Sequence, residues 1–281
     1  MGNGYERERE ALGARLRDLR RRTGLNGVAF ADLLGWAQSK VSRLELGRQT
    51  ATESDVTAWV QATGAPAGLA DELLTLLRSI EAEYVTWKRD LRVGVRSKQR
   101  AFAGLEARVS RIRGVETCVV PGLLQTAEYA RYRIAEMPAL HAVPEDVDQA
   151  VAMRMQRQQV IYDPTKTFHF LLLEPVLHNR LCPDEVLAGQ LDRLLAASHL
   201  ANLTLGIVPL TARLPFAPLN GWWIFDDGLV TFETVAAEVH LRDPAEIELY
   251  VNAFEQLAGV ALHDGGARRV IDRVASDLRR E

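Results

Sequence analysis

Residues Leu25 to Thr50 read LNGVAFADLLGWAQSKVSRLELGRQT, two short amphipathic runs separated only by Gly35 and Trp36. A link that short predicts a tight helical hairpin. Phe30, Leu33 and Leu34 recur at i, i+3, i+4, so the first run is expected to bury one face, with Asn26 as its N-cap. Gly35 ends it, because glycine adopts the left-handed conformation common at helix C-termini. On the second run, at about 100° per residue, Ala37, Val41 and Leu44 fall within about 40° of one another and form the expected core face. Ser39, Ser42 and Arg43 fall on the opposite side, with Gln38 at the helix start and Lys40 on a flank. A short helix held by an apolar stripe, presenting donors from its N-terminal half, suits a DNA major groove. The competing reading is the solvated face of an ordinary hairpin, and the flanking residues decide against it.

Just upstream, RLRDLRRRTG places Arg15, Arg17, Arg20, Arg21 and Arg22 on one helix whose Leu12, Leu16 and Leu19 form the buried stripe. Phosphates are natural partners for such arginines. Glu6, Glu8, Glu10 and Asp18 dilute them, so the field is a patch, and a charge-paired solvated helix is the rival reading. Glu45 falls beside the apolar stripe of the second run, where a carboxylate calls for a buried cationic partner.

At these residues the chain resembles the Xre-type helix-turn-helix family, the five-helix module of phage repressors, over residues 8 to about 64. The resemblance rests on Leu16, Leu19, Arg20, Gly24 and Leu25, on Ala31, Leu34 and Gly35, and on Ser39, Val41, Ser42, Leu44, Glu45 and Gly47. It implies that Arg20 pairs with Glu45, that Gln38, Ser39, Ser42 and Arg43 face bases, and that the loop with Arg48, Gln49 and Thr50 touches phosphate. Asn26 and Lys40 are assigned to the phosphate contacts as well. Two positions depart from the pattern: Ala37 stands where a capping Ser or Thr is common, and Gly27 where a phosphate-binding Gln is common. Each removes a side-chain hydrogen bond, which bears on affinity rather than on the motif.

A chain of 281 residues, 47% hydrophobic and 25% charged, is ordinary globular material for about two domains. The net charge of −3 divides into +2 for residues 1–64 and −5 for the remainder, and DNA binding needs only a local basic field. The N-terminal MGNGYERERE has no apolar core of a leader, and no run approaches the ~18 apolar residues of a membrane span. A cytoplasmic, nucleoid-associated protein without a membrane partner is therefore expected. Cys118 and Cys182 are too few for a disulfide framework or a cysteine-based zinc site and are expected to be core thiols.

A boundary is expected at ATGAPAG, Ala62–Gly68, where glycine and proline interrupt the helical pattern. The expected organisation is a helix-turn-helix domain over 1–66, a helical connector with a basic segment over 67–113, and an α+β regulatory domain over 114–281. LADELLTLLRSIEAEYVTWKRDLR reads as one long helix with Leu73, Leu76, Leu77, Ile80 and Tyr84 on a face; this face or the second domain is expected to supply a homodimer contact. Lys88–Arg113 carries nine Lys/Arg against Asp90 and Glu106, fitting a solubilising surface, a second DNA contact or a seat for an acidic partner. Beyond it, VETCVV, TFHFLLLE, LTLGIVPL, GWWIF and LVTFET read as strands, alternating with helical runs such as QTAEYARYRIAEM and CPDEVLAGQLDRLLAASHL.

VVPGLLQTAEYAR, RMQRQ, FLLLEPVLHNRL, GQLDRLL and LGIVPL make residues 85 to 275 similar to a domain of unknown function that follows the Xre module in actinobacterial regulators of the WhiJ type. The resemblance implies a sensing role, and a neighbouring gene for a small acidic BldB-like protein in an arrangement likened to toxin and antitoxin pairs. Phe232 replaces the tyrosine usual before the late glutamate, here Glu233. Six scattered histidines, with no H-E-x-x-H, G-x-S-x-G or Gly-rich phosphate loop, point away from an enzyme, a metal site or a cofactor. Arg154, Arg157, Glu174, Trp222, Trp223 and Glu233 are the candidates for binding a small-molecule effector or a protein partner. Adjacent strand positions turn Trp222 and Trp223 to opposite faces. The expected function is that of a DNA-binding transcription regulator, a repressor or autoregulator controlled through its second domain. The alternative is an antitoxin-like protein that holds a small acidic partner, with DNA binding secondary.

Overall fold

In the computed structural model, which describes residues 4–86, 95–141 and 146–280, the chain forms two compact units, 1–83 and 84–281. The first is built from helices α1 (Gly4–Arg22), α2 (Gly27–Leu34), α3 (Gln38–Glu45), α4 (Glu53–Thr63) and α5 (Ala67–Glu81). Leu12, Leu16 and Leu19 of α1, Phe30 and Ala31 of α2, Val41 and Leu44 of α3, and Val56 and Trp59 of α4 are buried around one core. Leu73 and Leu77 of α5 complete that core, so the fifth helix of the module is the segment expected to begin the connector. The expected division at residue 66 therefore moves to 83, and Leu73, Leu76 and Leu77 of the apolar face considered for dimerisation pack within their own unit.

Three further expectations change. Leu33 is 58% exposed, because the buried face of α2 centres on Phe30, Ala31 and Leu34, and Leu33 lies beyond its edge. Ala37 is exposed at the N-cap of α3 with extended backbone (φ −68°, ψ 136°), where helical-wheel angles do not apply. The helix expected from Leu69 to Arg92 stops at Glu81 and passes into strand β1 (Ala82–Thr86), and residues 87–94 lie outside the described part.

The second unit is α+β. It comprises α6 (Val95–Arg108), β2 (Arg111–Glu116), α7 (Ala127–His141), α8 (Val147–Arg157), β3 (Thr167–Leu173), α9 (Pro175–His178) and α10 (Asp184–Ala197). There follow β4 (Leu203–Val208), β5 (Trp222–Phe225), β6 (Leu229–Glu233), β7 (Ala237–Leu241), α11 (Pro244–Ala258) and α12 (Asp264–Leu278). The sheet order is β1-β7-β6-β5-β2-β3-β4. Strands β2, β3 and β4 are parallel, whereas β5 joins β2 antiparallel and continues as a β5–β6–β7 meander. Alternation along the strands sends Ile112, Phe168, Phe170 and Leu205 into a core with α10 and α12. Val115, Leu171, Trp222, Ile224 and Val230 pack on the other face, against Ile247, Phe254 and Leu257 of α11. The strand expected at 115–120 is displaced to 111–116, and β7 and α12 were not anticipated. The cysteines are not core thiols: Cys118 is exposed and Cys182 only partly buried.

Candidate nucleic-acid interface

Local chemistry sets the ends of α2. Asn26 Oδ1 accepts hydrogen bonds from the Val28 and Ala29 amides at 3.0 and 2.9 Å. At the other end Gly35 takes φ +67°, and the Gly35 and Trp36 amides donate to Asp32 O and Ala31 O. The chain thus turns within Gly35–Ala37 into α3. Val41 and Leu44 anchor α3 in the core, leaving Gln38, Ser39 and Arg43 exposed and Ser42 half-buried.

The C-terminal end of α3 is held against α1 by a close backbone approach. A Cβ on Gly13 would stand 2.5 Å from Leu44 O and 2.9 Å from Glu45 O, and one on Gly47 (φ +61°) would stand 2.8 Å from Glu10 Cα. Where the backbones meet, the Arg20 guanidinium reaches across the core edge: Nε donates to Glu45 Oε1, Nη2 to Glu45 Oε2 at 2.9 Å, and Nη1 to Leu25 O at 2.7 Å. Both side chains are about nine-tenths buried. The fork therefore ties α1, the α1–α2 link and α3 together. Trp59 adds a further tie, its indole N–H donating to Leu16 O at 2.9 Å.

The residues assigned to phosphate have varied surroundings. Arg48 is exposed and Gln49 and Thr50 half-buried, and Gln49 Oε1 accepts from Arg43 Nε at 3.0 Å, linking the exposed face of α3 to the loop. Asn26 is exposed, its carbonyl oxygen occupied by the cap. Lys40 is half-buried and engaged within the unit: its Nζ lies 2.6 Å from Asp55 Oδ1 and 4.0 Å from the centre of the Trp36 ring. Gln38 Nε2 approaches to 3.9 Å of where a Cβ on Gly27 would be, so the missing side chain at 27 leaves room that Gln38 borders. Gly13 and Asp55 are the determinants that sequence reasoning passed over. Gly13 carries no local signal, since its importance arises from a contact with α3; Asp55 stands at capping-box spacing after Thr52, but its ion pair with Lys40 of α3 has no local signal.

In the second unit, Arg154, Arg157, Trp223 and Glu233 line one cavity of about 700 Å³, together with Lys98, Glu106 and Glu116. Glu174 and Trp222 do not join them. Glu174 accepts from the Leu210 amide at 2.8 Å and from Arg273 Nη2 at 2.5 Å, bracing the end of β4 against α12. Trp222 is buried on the opposite face of the sheet beside Phe216 and Tyr250. Among the described residues there is no group of three or more His, Cys, Asp or Glu arranged to hold a metal ion, and no helix is long and apolar enough to cross a membrane.

Comparison with known families agrees with this division. Residues 11–73 match the model of a helix-turn-helix domain, and residues 99–273 match a domain of unknown function, DUF5753. The second match covers more than half of the chain, which belongs to the DUF5753 family and carries a helix-turn-helix domain ahead of it. No curated protein matches the chain. Among solved structures it is similar to TrmBL2, an archaeal chromatin protein whose structure shows a novel mode of DNA binding. The identity is 13% and the TM-score 0.32, over 75% of this chain and 70% of that one, a level that carries no argument about this protein.

Proposed function

We propose that the chain is a sequence-specific transcription regulator of the Xre class, a repressor acting on its own promoter region, and a binder rather than an enzyme. It works as a homodimer in the nucleoid, as the similarity to WhiJ-type actinobacterial regulators suggests, and its second domain supplies the control. The observation that carries this reading is the disposition of α3: Gln38, Ser39 and Arg43 project to solvent from a helix whose other side, Val41 and Leu44, is locked in the core. One short reading helix makes few base contacts, so two modules on half-sites about 34 Å apart are expected. With Leu73 and Leu77 buried in the first unit, the dimer contact is sought elsewhere than on that stripe of α5.

The test is selection of bound duplexes from a random pool, with wild type, Arg43→Ala and Arg48→Ala side by side. Wild type should return a two-fold symmetric motif. Arg43→Ala should lose about 1–3 kcal/mol and relax preference at one base position of each half-site. Arg48→Ala should weaken all sequences alike. A wild-type pool with no shared motif rejects sequence-specific reading, and an asymmetric motif with a monomer by light scattering rejects the dimer.

A further inference from the structure

The cavity of the second unit opens at the carboxyl end of β2, where the parallel and antiparallel parts of the sheet meet. Its floor is a pair of arginines one turn apart on α8. Arg154 donates from Nε to Gln99 Oε1 at 3.2 Å and from Nη1 to Gln125 Oε1 at 2.6 Å. Arg157 donates from Nη1 to the same Gln99 oxygen at 3.1 Å. The amides are themselves fixed: Gln125 Nε2 donates to Val120 O, and Gln158 braces the Gly122 and Gln125 carbonyls. Gly122 leaves space for the pair, since a Cβ there would stand 2.9 Å from Arg157 Nη2.

Two enclosed guanidiniums held mainly by neutral amide oxygens are short of countercharge. Among the described residues, no carboxylate lies within ion-pair distance of Arg154, and Glu106, 3.1 Å from Arg157 Nε, is the carboxylate beside the pair. Burial raises Glu106 to about 7 despite the two arginines, so near neutrality it supplies only part of a charge. Desolvation and the neighbouring Arg157 push Arg154 down to about 9, which still leaves it cationic at neutral pH. The remaining acids make up only part of the deficit, and from a distance: Glu233 acts on both arginines and Glu238 on Arg157, yet among the described residues neither lies within ion-pair distance of them. Glu233 is committed to Lys98 at 2.6 Å, with Glu238 3.7 Å from the same ammonium. Glu116 accepts from Trp223 Nε1 at 2.9 Å, and burial raises it to about 8, so it is mostly protonated. Arg133, a further cation of the lining, is paired with Glu136.

Above this floor the walls turn apolar. The Trp223 ring packs on Phe170, Phe102 lines the α6 side, and Leu219 and Val235 rim the cavity while 93% and 76% exposed. From this arrangement we infer that the cavity binds a small organic oxyanion, its carboxylate or phosphate on Arg154 and Arg157 and its apolar body against Trp223, Phe102 and the Leu219–Val235 rim. A concave site with a charged floor fits a small molecule better than a flat protein surface. The claim that such a ligand alters DNA affinity rests on the regulatory reading above; binding itself does not.

Calorimetry on the full chain without DNA, with benzoate, phenyl phosphate, benzamide and inorganic phosphate as probes, tests the site. Benzoate or phenyl phosphate should bind saturably and about tenfold or more tighter than benzamide, the difference expected of a hydrogen-bonded charge. Which of the two wins identifies the anionic group. Arg154→Gln should abolish that preference, and Arg154→Lys should retain part of it. Near-UV circular dichroism checks that both fold, and exposed Arg111→Gln serves as the surface control. Equal binding of benzamide and benzoate, or no saturable binding of either aryl anion at millimolar concentration, overturns the proposal, as does preference unchanged in a folded Arg154→Gln. A parallel titration on selected DNA reads the regulatory consequence separately: anion binding without DNA binding would refute the regulator and leave the cavity assignment intact.

Discussion

Lys40 Nζ and Asp55 Oδ1 lie 2.6 Å apart, joining the middle of the exposed helix α3 to the first turn of α4. Asp55 Oδ2 accepts from the Thr52 amide at 3.1 Å, and Thr52 Oγ1 accepts from the Asp55 amide, so the aspartate serves a capping box and an ion pair at once. Lys40→Ala leaves that carboxylate buried with its cap but without its cation. It should lower stability by about 1–2 kcal/mol, less than a fully buried pair because the lysine is partly exposed. The salt slope of DNA binding should change much less than in Arg48→Ala, and a larger loss of slope in Lys40→Ala would restore it to the phosphate contacts.

Arg20→Ala should cost about 3–5 kcal/mol, since it strands the nearly buried Glu45 carboxylate and orphans Leu25 O. Arg21, exposed on the same helix, should tolerate alanine with little change in the melt. Comparable shifts in the two melting curves would show that the Arg20 pair contributes no more than a surface charge.

Gly13→Ala places a methyl against backbone oxygens that cannot swing aside. A cost of about 1–3 kcal/mol is expected from such overpacking, together with weaker DNA binding as α3 is displaced from α1. Alanine is the better helix former, so an increase in thermal stability is the outcome that contradicts the close approach.

Burial pushes the Glu116 carboxyl from its ordinary 4.5 up to about 8, with the Trp223 hydrogen bond working against the shift and Glu233 adding to it. The folded protein therefore holds this proton more tightly than the unfolded chain. That contribution to stability is complete below about pH 4.5 and is lost as the pH rises through about 8. Glu116→Gln keeps the acceptor and removes the ionisation, so its melting temperature relative to wild type should rise by several degrees between about pH 6 and pH 9. A constant difference across that interval would place Glu116 in water.

Much of the first unit was legible in the sequence because its signals are local. Asn26 as a cap, Gly35 as a stop and the stripe of Val41 and Leu44 act within a few residues, where helix period and glycine conformation decide the outcome. The chemistry of Glu45 beside that stripe called for a cation, and the family pattern pointed to Arg20. The α+β class of the second unit followed from short β-rich runs between helical ones. Tertiary structure alone decided the rest. Leu33 was left exposed and α5 drawn into the first core, because burial depends on which neighbour arrives and not on period alone. Gly13 became a determinant only through α3 meeting α1, and Asp55, locally a capping residue, acquired its ion pair only through α3 meeting α4. Arg154, Arg157, Glu116, Trp223 and Glu233 span more than a hundred residues of sequence, and sheet topology brings them to one cavity with Trp222 turned to the opposite face. Their charges and proton affinities are set by desolvation and by one another, properties that exist only once the chain has closed around them.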